Sequence, residues 1–320
     1  MGRVVVVGSF NVDHVWSTAA LPRAGETLGG RYRSGPGGKG FNQAIAAQRA
    51  GADTAFVCAL GDDDGGRLAR ALAADDGLAL HAATVAEPTG TAGIFVDADG
   101  RNSIVIGPGA NAILDAQAVA AHADVFHGAR VAVAQLETSA EAAMAAFRIA
   151  RGAGASTLLN PAPADAVVPD TLWALTDLAT PNETEFAAQL TRRGERIDPA
   201  AVATLTDGAL HALCRRLLPH GTVVVTLGAA GAFVSHADAR AWGDDAACYR
   251  VAPAAVRAID TTGAGDAFSG ALAASLASRV SPFAAHVRFA ARYAGLSTER
   301  EGAALAMPRR DEVDARFGNG

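Results

Sequence analysis

Asp260-Thr261-Thr262-Gly263-Ala264-Gly265-Asp266-Ala267-Phe268 sets a carboxylate directly behind a Gly-Ala-Gly turn. Phe268, Ala271, Leu272, Ser275 and Leu276 follow at helical spacing. A helix start carries unpaired N–H groups and a partial positive charge. Glycine lets the backbone approach an anion closely. Gly263, Ala264 and Gly265 can therefore cradle a phosphate while Asp266 stands beside it as a base, the minimum equipment for moving a phosphoryl group to a hydroxyl. The same residues also read as a capped helix after a tight turn, with Asp266 only complementing the helix dipole. The rest of the chain decides between the two.

Around this segment, short β-branched runs alternate with alanine-rich amphipathic stretches. Residues 4–7, 54–60, 130–135, 157–160, 178–180 and 222–227 read as core strands. Residues 40–50, 65–74, 140–152, 183–190, 205–218, 264–278 and 282–297 read as helices. Apolar strands separated by helices predict an α/β fold, a mostly parallel sheet covered on both faces. Two regions break the rhythm. Residues 13–34 alternate polar and apolar with several glycines. Residues 91–106 read as a hairpin turning at Asp97-Ala98-Asp99-Gly100. Both have the character of half-exposed antiparallel strands, expected to pair as a small sheet that covers a ligand or meets another subunit. The expected organisation is 1–12, 35–90 and 107–320 in the α/β domain, with 13–34 and 91–106 inserted as a β-lid.

The 320 residues are 50% hydrophobic and 19% charged, enough for one large core. A formal net charge of −6 and scattered Lys and Arg exclude a nucleic-acid-binding stripe. Cys58, Cys214 and Cys248 form no CxxC, which argues against a disulfide framework or a zinc site. No apolar run is long and uninterrupted enough to span a bilayer, and the chain enters a strand at once with no signal-peptide layout. The expectation is a cytoplasmic protein with no membrane partner.

The first strand runs into Gly8-Ser9-Phe10-Asn11-Val12-Asp13. Ligands of open parallel sheets bind beyond the strands' carboxyl ends. Asn11 and Asp13, two apart, face the same side of an extended chain and suit vicinal hydroxyls, although both are also ordinary turn residues. Gly35-Pro36-Gly37-Gly38-Lys39-Gly40-Phe41-Asn42-Gln43 is a glycine-dense turn opening a helix. Lys39 is followed by Gly40, so this is not a phosphate-binding P-loop, and no dinucleotide fingerprint follows strand one. A nicotinamide-dependent oxidoreductase therefore fails as a reading. Glu137 follows another strand and can accept from a sugar hydroxyl. Asn182 and Glu185 form a capping-box pattern, or else organise Mg²⁺ waters near phosphate. Thr226, Gly228 and Gly231 follow a further strand and can approach a nucleotide.

Taken in this order, these segments resemble the PfkB (ribokinase-like) family of carbohydrate kinases from residue 4 to about 308. Gly107-Pro108-Gly109-Ala110-Asn111, Gln135-Leu136-Glu137, Asn160-Pro161-Ala162-Pro163 and Thr180-Pro181-Asn182-Glu183-Thr184-Glu185 add to the match. Any one motif is weak; their joint occurrence is specific. The resemblance implies a three-layer α/β/α domain with a β-lid and ATP-dependent phosphorylation of a small sugar, D-ribose first. It implies Asp266 as base and Gly263, Ala264 and Gly265 as anion hole. It implies sugar contacts from Asn11, Asp13, Gly38, Asn42 and Glu137, with Lys39 in the same loop. Asn182, Glu185, Thr226 and Gly228 would meet the nucleotide and Mg²⁺. A monovalent cation, usually K⁺, would sit among Asp260, Thr262, Ser297, Arg300 and Gly302, largely on carbonyls, and a homodimer would form through the lid. The chain departs from the family at Ala306, commonly Ser near the cation, at Ala291, commonly Asn or His near the adenine, and at Phe41, often Ala. A fructokinase or nucleoside kinase of the same family is the near alternative. A non-catalytic sugar or nucleotide sensor is the distant one.

Overall fold

The computed structural model describes residues 2–278 and 281–318. The strands are β1 (Arg3–Val7), β2 (Asn11–Ser17), β3 (Arg31–Gly37), β4 (Asp53–Gly61), β5 (Ala79–Val85), β6 (Gly90–Val96), β7 (Asn102–Gly107), β8 (Ala129–Ala134), β9 (Ser156–Leu159), β10 (Leu178–Ala179), β11 (Thr222–Thr226), β12 (Ala232–His236) and β13 (Cys248–Val251). The helices are α1 (Lys39–Arg49), α2 (Asp64–Asp75), α3 (Ala116–Ala120), α4 (Ala140–Gly152), α5 (Asp170–Ala174), α6 (Glu183–Arg192), α7 (Asp207–Leu217), α8 (Ala264–Ser278), α9 (Phe283–Ser297) and α10 (Arg310–Phe317).

Nine strands form one sheet in the order β13-β12-β11-β10-β9-β8-β1-β4-β5. The run from β11 to β5 is parallel, and β12 and β13 extend it antiparallel. The period-2 alternation of strand side chains builds the three layers. Val4 and Val6 point into a core with Phe41, Ile45, Leu272 and Tyr293 of α1, α8 and α9. Val5 and Val7 point the other way, into Phe147, Phe186 and Leu210 of α4, α6 and α7. Helix α8 is buried along nearly its whole length, and its alanines and glycines let α1 cross it closely. A Cβ on Gly270 would overlap the Gln43 carbonyl. That crossing brings the first turns of α1 and α8 side by side.

The remaining four strands form a separate sheet in the order β3-β2-β6-β7. Its outer pairs are antiparallel, but the central β2–β6 pair is parallel. This corrects the expectation of wholly antiparallel strands. Each hairpin leaves the main sheet after a parallel strand, so their first strands run the same way. The strands also start earlier than expected, at Asn11 and Gly90, and β3 reaches Gly37. Phe41 is core: its ring meets Phe10 edge-on at 5.0 Å and lies 6.0 Å from Phe56. Among the described residues, no helix is long and apolar enough to cross a membrane.

Candidate active site

The carboxyl ends of β1, β8, β9, β10 and β11 and the starts of α1, α6 and α8 converge on one cleft. Asp266 sits buried in the first turn of α8. Asn42 Nδ2 donates to its Oδ2 at 2.9 Å, and Gln43 Nε2 donates to its Oδ1 at 2.9 Å. Burial pushes the Asp266 carboxyl above its ordinary range, while Lys39, Gln43 and Asn42 pull against that shift. Gly263 has a left-handed φ of 74° and lies against Ala303, so the chain turns sharply just before the helix. The N–H groups of Gly265 and Asp266 bond to no protein atom among the described residues. They are the orphan donors that a helix start offers to an anion.

On the lid side, Asn11 Oδ1 accepts from Asn111 Nδ2 at 2.8 Å. Asn111 also grips the Phe10 backbone through both side-chain atoms at 3.0 Å. Glu137 Oε2 accepts from Ser9 Oγ at 2.6 Å and from the Lys39 N–H at 3.0 Å. Asp13 projects from β2 over Gly37, where any Cβ would overlap its carboxylate. Gly38, at φ 88°, threads between Ser9 and Asn11. Of the predicted sugar residues, Asp13, Lys39, Asn42 and Glu137 therefore gather around Asp266, with Asn11 at the neighbouring start of β2 and Gly38 in the β3–α1 turn. Burial works against the Lys39 charge, but Asp266, Glu137 and Glu185 outweigh it and hold its pKa above the ordinary value.

Asp13 is pushed up to about 6, by burial first and then by Glu137 and Asp266. Its charge is thus a burden on the folded chain above that pH. The penalty is absent below the unfolded carboxyl pKa and complete above the folded one. Asp13→Asn is expected to raise Tm at pH well above 6, with a gain that shrinks as pH falls through 6, because wild-type Asp13 then takes up its proton. The same substitution is expected to weaken sugar-dependent turnover. Thermal melts across this pH window check the first part; a gain that does not vary with pH contradicts it.

A cavity of about 210 Å³ runs from Lys39 and Asp266 past Gly263–Gly265 to Asn182, Glu185 and Thr226. It adjoins a more apolar cleft of about 540 Å³ between Gly228, Pro253, Val256, Phe268, Ala291 and Ala294. Asn182 and Glu185 do form the capping box: Glu185 N–H to Asn182 Oδ1 is 2.8 Å and Asn182 N–H to Glu185 Oε2 is 3.0 Å. Both nevertheless line the cavity, and burial raises the Glu185 carboxyl. Gly231 lines the apolar cleft, but its own need is local, since a Cβ there would overlap the Val251 carbonyl.

Asp260 Oδ1 accepts from the Thr262 N–H and its Oδ2 from the Gly302 N–H, each at 2.9 Å. Burial would raise Asp260, yet these bonds bring it below its usual range. Ser297 Oγ donates to the Ala294 carbonyl, and the Arg300 guanidinium pairs with Glu312. Of these five residues, Arg300 and Gly302 thus have only backbone oxygen to offer a cation, while Ser297 Oγ, already donating, keeps lone pairs for one. Among the searched residues, no cluster of three His, Cys, Asp or Glu side chains stands ready for a metal.

Sequence reading passed over Ser9, Gln43, Asn111, Gln135 and Asn160 as site residues. Ser9, Gln135 and Asn160 stand just beyond strand ends and Gln43 near the start of α1, so their positions hint at the cleft while their contacts with one another emerge only on folding. Arg49 was also missed. It is bidentate to Asp76 at 2.8 Å and donates to the Met307 carbonyl at 2.8 Å, pinning the segment behind Gly263.

The model of the pfkB family of carbohydrate kinases matches residues 1–310. The bifunctional ribokinase/ribose-5-phosphate isomerase A of Fructilactobacillus sanfranciscensis is 35% identical over 98% of this chain, which spans 56% of that longer protein. The ribokinase of Haemophilus influenzae is 36% identical, with 97% of this chain and 96% of that protein covered. The solved structure of Arabidopsis thaliana ribokinase complexed with ribose and ATP superimposes with a TM-score of 0.85 at 29% identity, covering 100% of this chain and 99% of that one.

Proposed function

The chain belongs to the pfkB family of carbohydrate kinases, and from that premise we propose that it transfers the γ-phosphoryl group of ATP to the primary hydroxyl of D-ribose. One observation carries the reading: a buried carboxylate, Asp266, shares the first turn of α8 with two N–H groups that have no partner among the described residues, and it opens on a small polar cavity that adjoins a nucleotide-sized cleft.

Asn11, Asp13, Asn42 and Glu137 hold the sugar hydroxyls, with Gly38 and Lys39 closing the loop around them. The primary hydroxyl faces Asp266. The γ-phosphate lies at Gly263, Ala264 and Gly265, and the nucleotide extends past Asn182, Thr226, Gly228 and Gly231 into the apolar cleft. As the new P–O bond forms, Asp266 takes the hydroxyl proton and ADP departs. Transfer through a loose transition state leaves most of the work to positioning and to charge stabilisation by the backbone donors. Lys39 supplies a cation between the base and the phosphates. The lid sheet covers the sugar and keeps water from the phosphoryl group.

Glu185 suits Mg²⁺ held through water, because its carboxylate faces the phosphate cavity; the ion would neutralise phosphate charge. A K⁺ site fits the carbonyls of the Asp260–Thr262 and Ser297–Gly302 segments, which abut the anion hole through Ala303 and Gly263. The protein works in the cytoplasm beside its ATP supply. It dimerises through the lid, where Tyr32, Ile104, Val105 and Ile106 expose apolar side chains next to the free edges of β3 and β7. Val105→Lys should give a monomer by light scattering; a monomeric wild type excludes this interface.

The decisive experiment is ADP release with ATP, Mg²⁺ and K⁺ across D-ribose, D-fructose, 2-deoxyribose, adenosine and a blank. Ribose-dependent turnover well above the others supports the assignment. Preference for another acceptor replaces the sugar but keeps the chemistry, and silence with every acceptor favours a sensor.

A further inference from the structure

Gln43 is fully buried, and both polar atoms of its side chain have partners. Its Nε2 donates both to Asp266 Oδ1 at 2.9 Å and to Asn160 Oδ1 at 3.0 Å. Its Oε1 accepts from Gln135 Nε2 at 2.6 Å. Asn160 Nδ2 passes the chain on to the Thr180 carbonyl at 2.9 Å and to Glu185 Oε2 at 3.4 Å. The directions are fixed from both ends. The Thr180 carbonyl can only accept, so Asn160 must turn its NH₂ there and its oxygen to Gln43; Asp266, as a carboxylate, also demands a donor. A neutral amide meets both requirements at any pH, whereas a Glu, Lys or His in this place would titrate or compete for the proton. The chain crosses the carboxyl ends of β8, β9 and β10, from the base to the carboxylate at the head of α6.

We propose that Gln43 is a positioning residue for the transfer, its side-chain amide locking the Asp266 carboxylate to Asn160 so that the base keeps a fixed aim at the phosphoryl acceptor. The proposal rests on the kinase reading given above. Asp266 is also faced by Lys39 from α1, Glu137 beyond β8, Asp13 from β2 and Glu185 from α6. Lys39 opposes the upward push of burial and remains when Gln43 is replaced. Losing the amide donor therefore moves the base upward but does not discharge the site.

The test uses Gln43→Met and Gln43→Glu. The Met variant removes the donors; the Glu variant keeps the shape and the Gln135 bond but cannot donate when ionised. Both should lose about 10²-fold in kcat, the scale of a misplaced reacting group. KM for ribose should stay within about threefold, since the sugar contacts remain. The acid limb of the kcat profile should rise by about one pH unit. A ¹³C carboxyl titration of Asp266 without substrate, assigned through Asp266→Asn, should move the same way. An unmoved titration with kcat falling only as folded protein is lost, in both variants, overturns the proposal. Wild-type silence with every sugar would instead overturn the kinase reading, and the titration would still report on the Gln43–Asp266 tie.

Discussion

Asp266→Asn is expected to fold, to bind ribose, and to turn over about 10³-fold more slowly than wild type, the contribution of a well-placed general base. The substitution is nearly isosteric and stays within the first turn of α8. The variant loses a buried charge that folding disfavours, and with it an acceptor for Asn42 and Gln43. These effects oppose each other, so Tm should change little. The Gly265 N–H and the nucleotide cleft are untouched, which predicts retained ATP binding and residual slow transfer from positioning alone. Calorimetric binding of ribose and ATP beside ADP-release kinetics separates the contributions. Turnover close to wild type would remove Asp266 from the chemistry.

Gly38→Val is expected to be the most damaging single change outside the base. At φ 88° and ψ 126° this residue occupies a region that side chains avoid. Its added Cβ would sit 2.8 Å from Asn11 N, 2.9 Å from Phe10 Cα and 2.9 Å from Ser9 O, all of them backbone or branch-point atoms that cannot rotate away. Backbone strain and overpacking together should cost about 3 kcal/mol, seen as a Tm drop of about 5–10 °C. The segment it strikes carries Ser9, Asn11 and the entry to the lid, so KM for ribose should rise as well. A variant with wild-type Tm would show that the turn has room the contacts do not allow.

Much of the fold was legible because its central strands are uniformly apolar. Val4–Val7 and the run from Thr222 can only be buried on both faces, and α4 and α8 fell on their observed bounds. The edges were harder. Ala79–Val85 is half-exposed with a weak pattern, β12 is a five-residue run directly behind the Gly231 turn, and β13 is a four-residue run behind the Arg240–Trp242 turn, so their shortness hid them. The same divide holds in the site. The proposed base Asp266 stands out in the sequence beside its glycines, whereas Gln43, Gln135 and Asn160 are neutral amides that come into mutual contact only across α1, β8 and β9. Residues 43, 135 and 160 are distant in sequence, and only folding brings them together. The parallel heart of the lid was hidden for a related reason. Alternation identifies a strand but not the direction of its neighbour.

The strand order has a consequence for inhibitors. In the proposed reading the sugar-side groups stand beyond β1 and β8, and the nucleotide-side groups beyond β10 and β11. Neighbouring strands are about 4.8 Å apart, so the four steps from β1 to β11 make a ruler of about 19 Å. A rigid hydrogen-bonded sheet cannot stretch to suit a longer molecule. Ribose joined through its C5 oxygen to adenosine by phosphate bridges of graded length should therefore inhibit with a sharp optimum, and affinity that rises steadily with bridge length would mean that one end binds elsewhere.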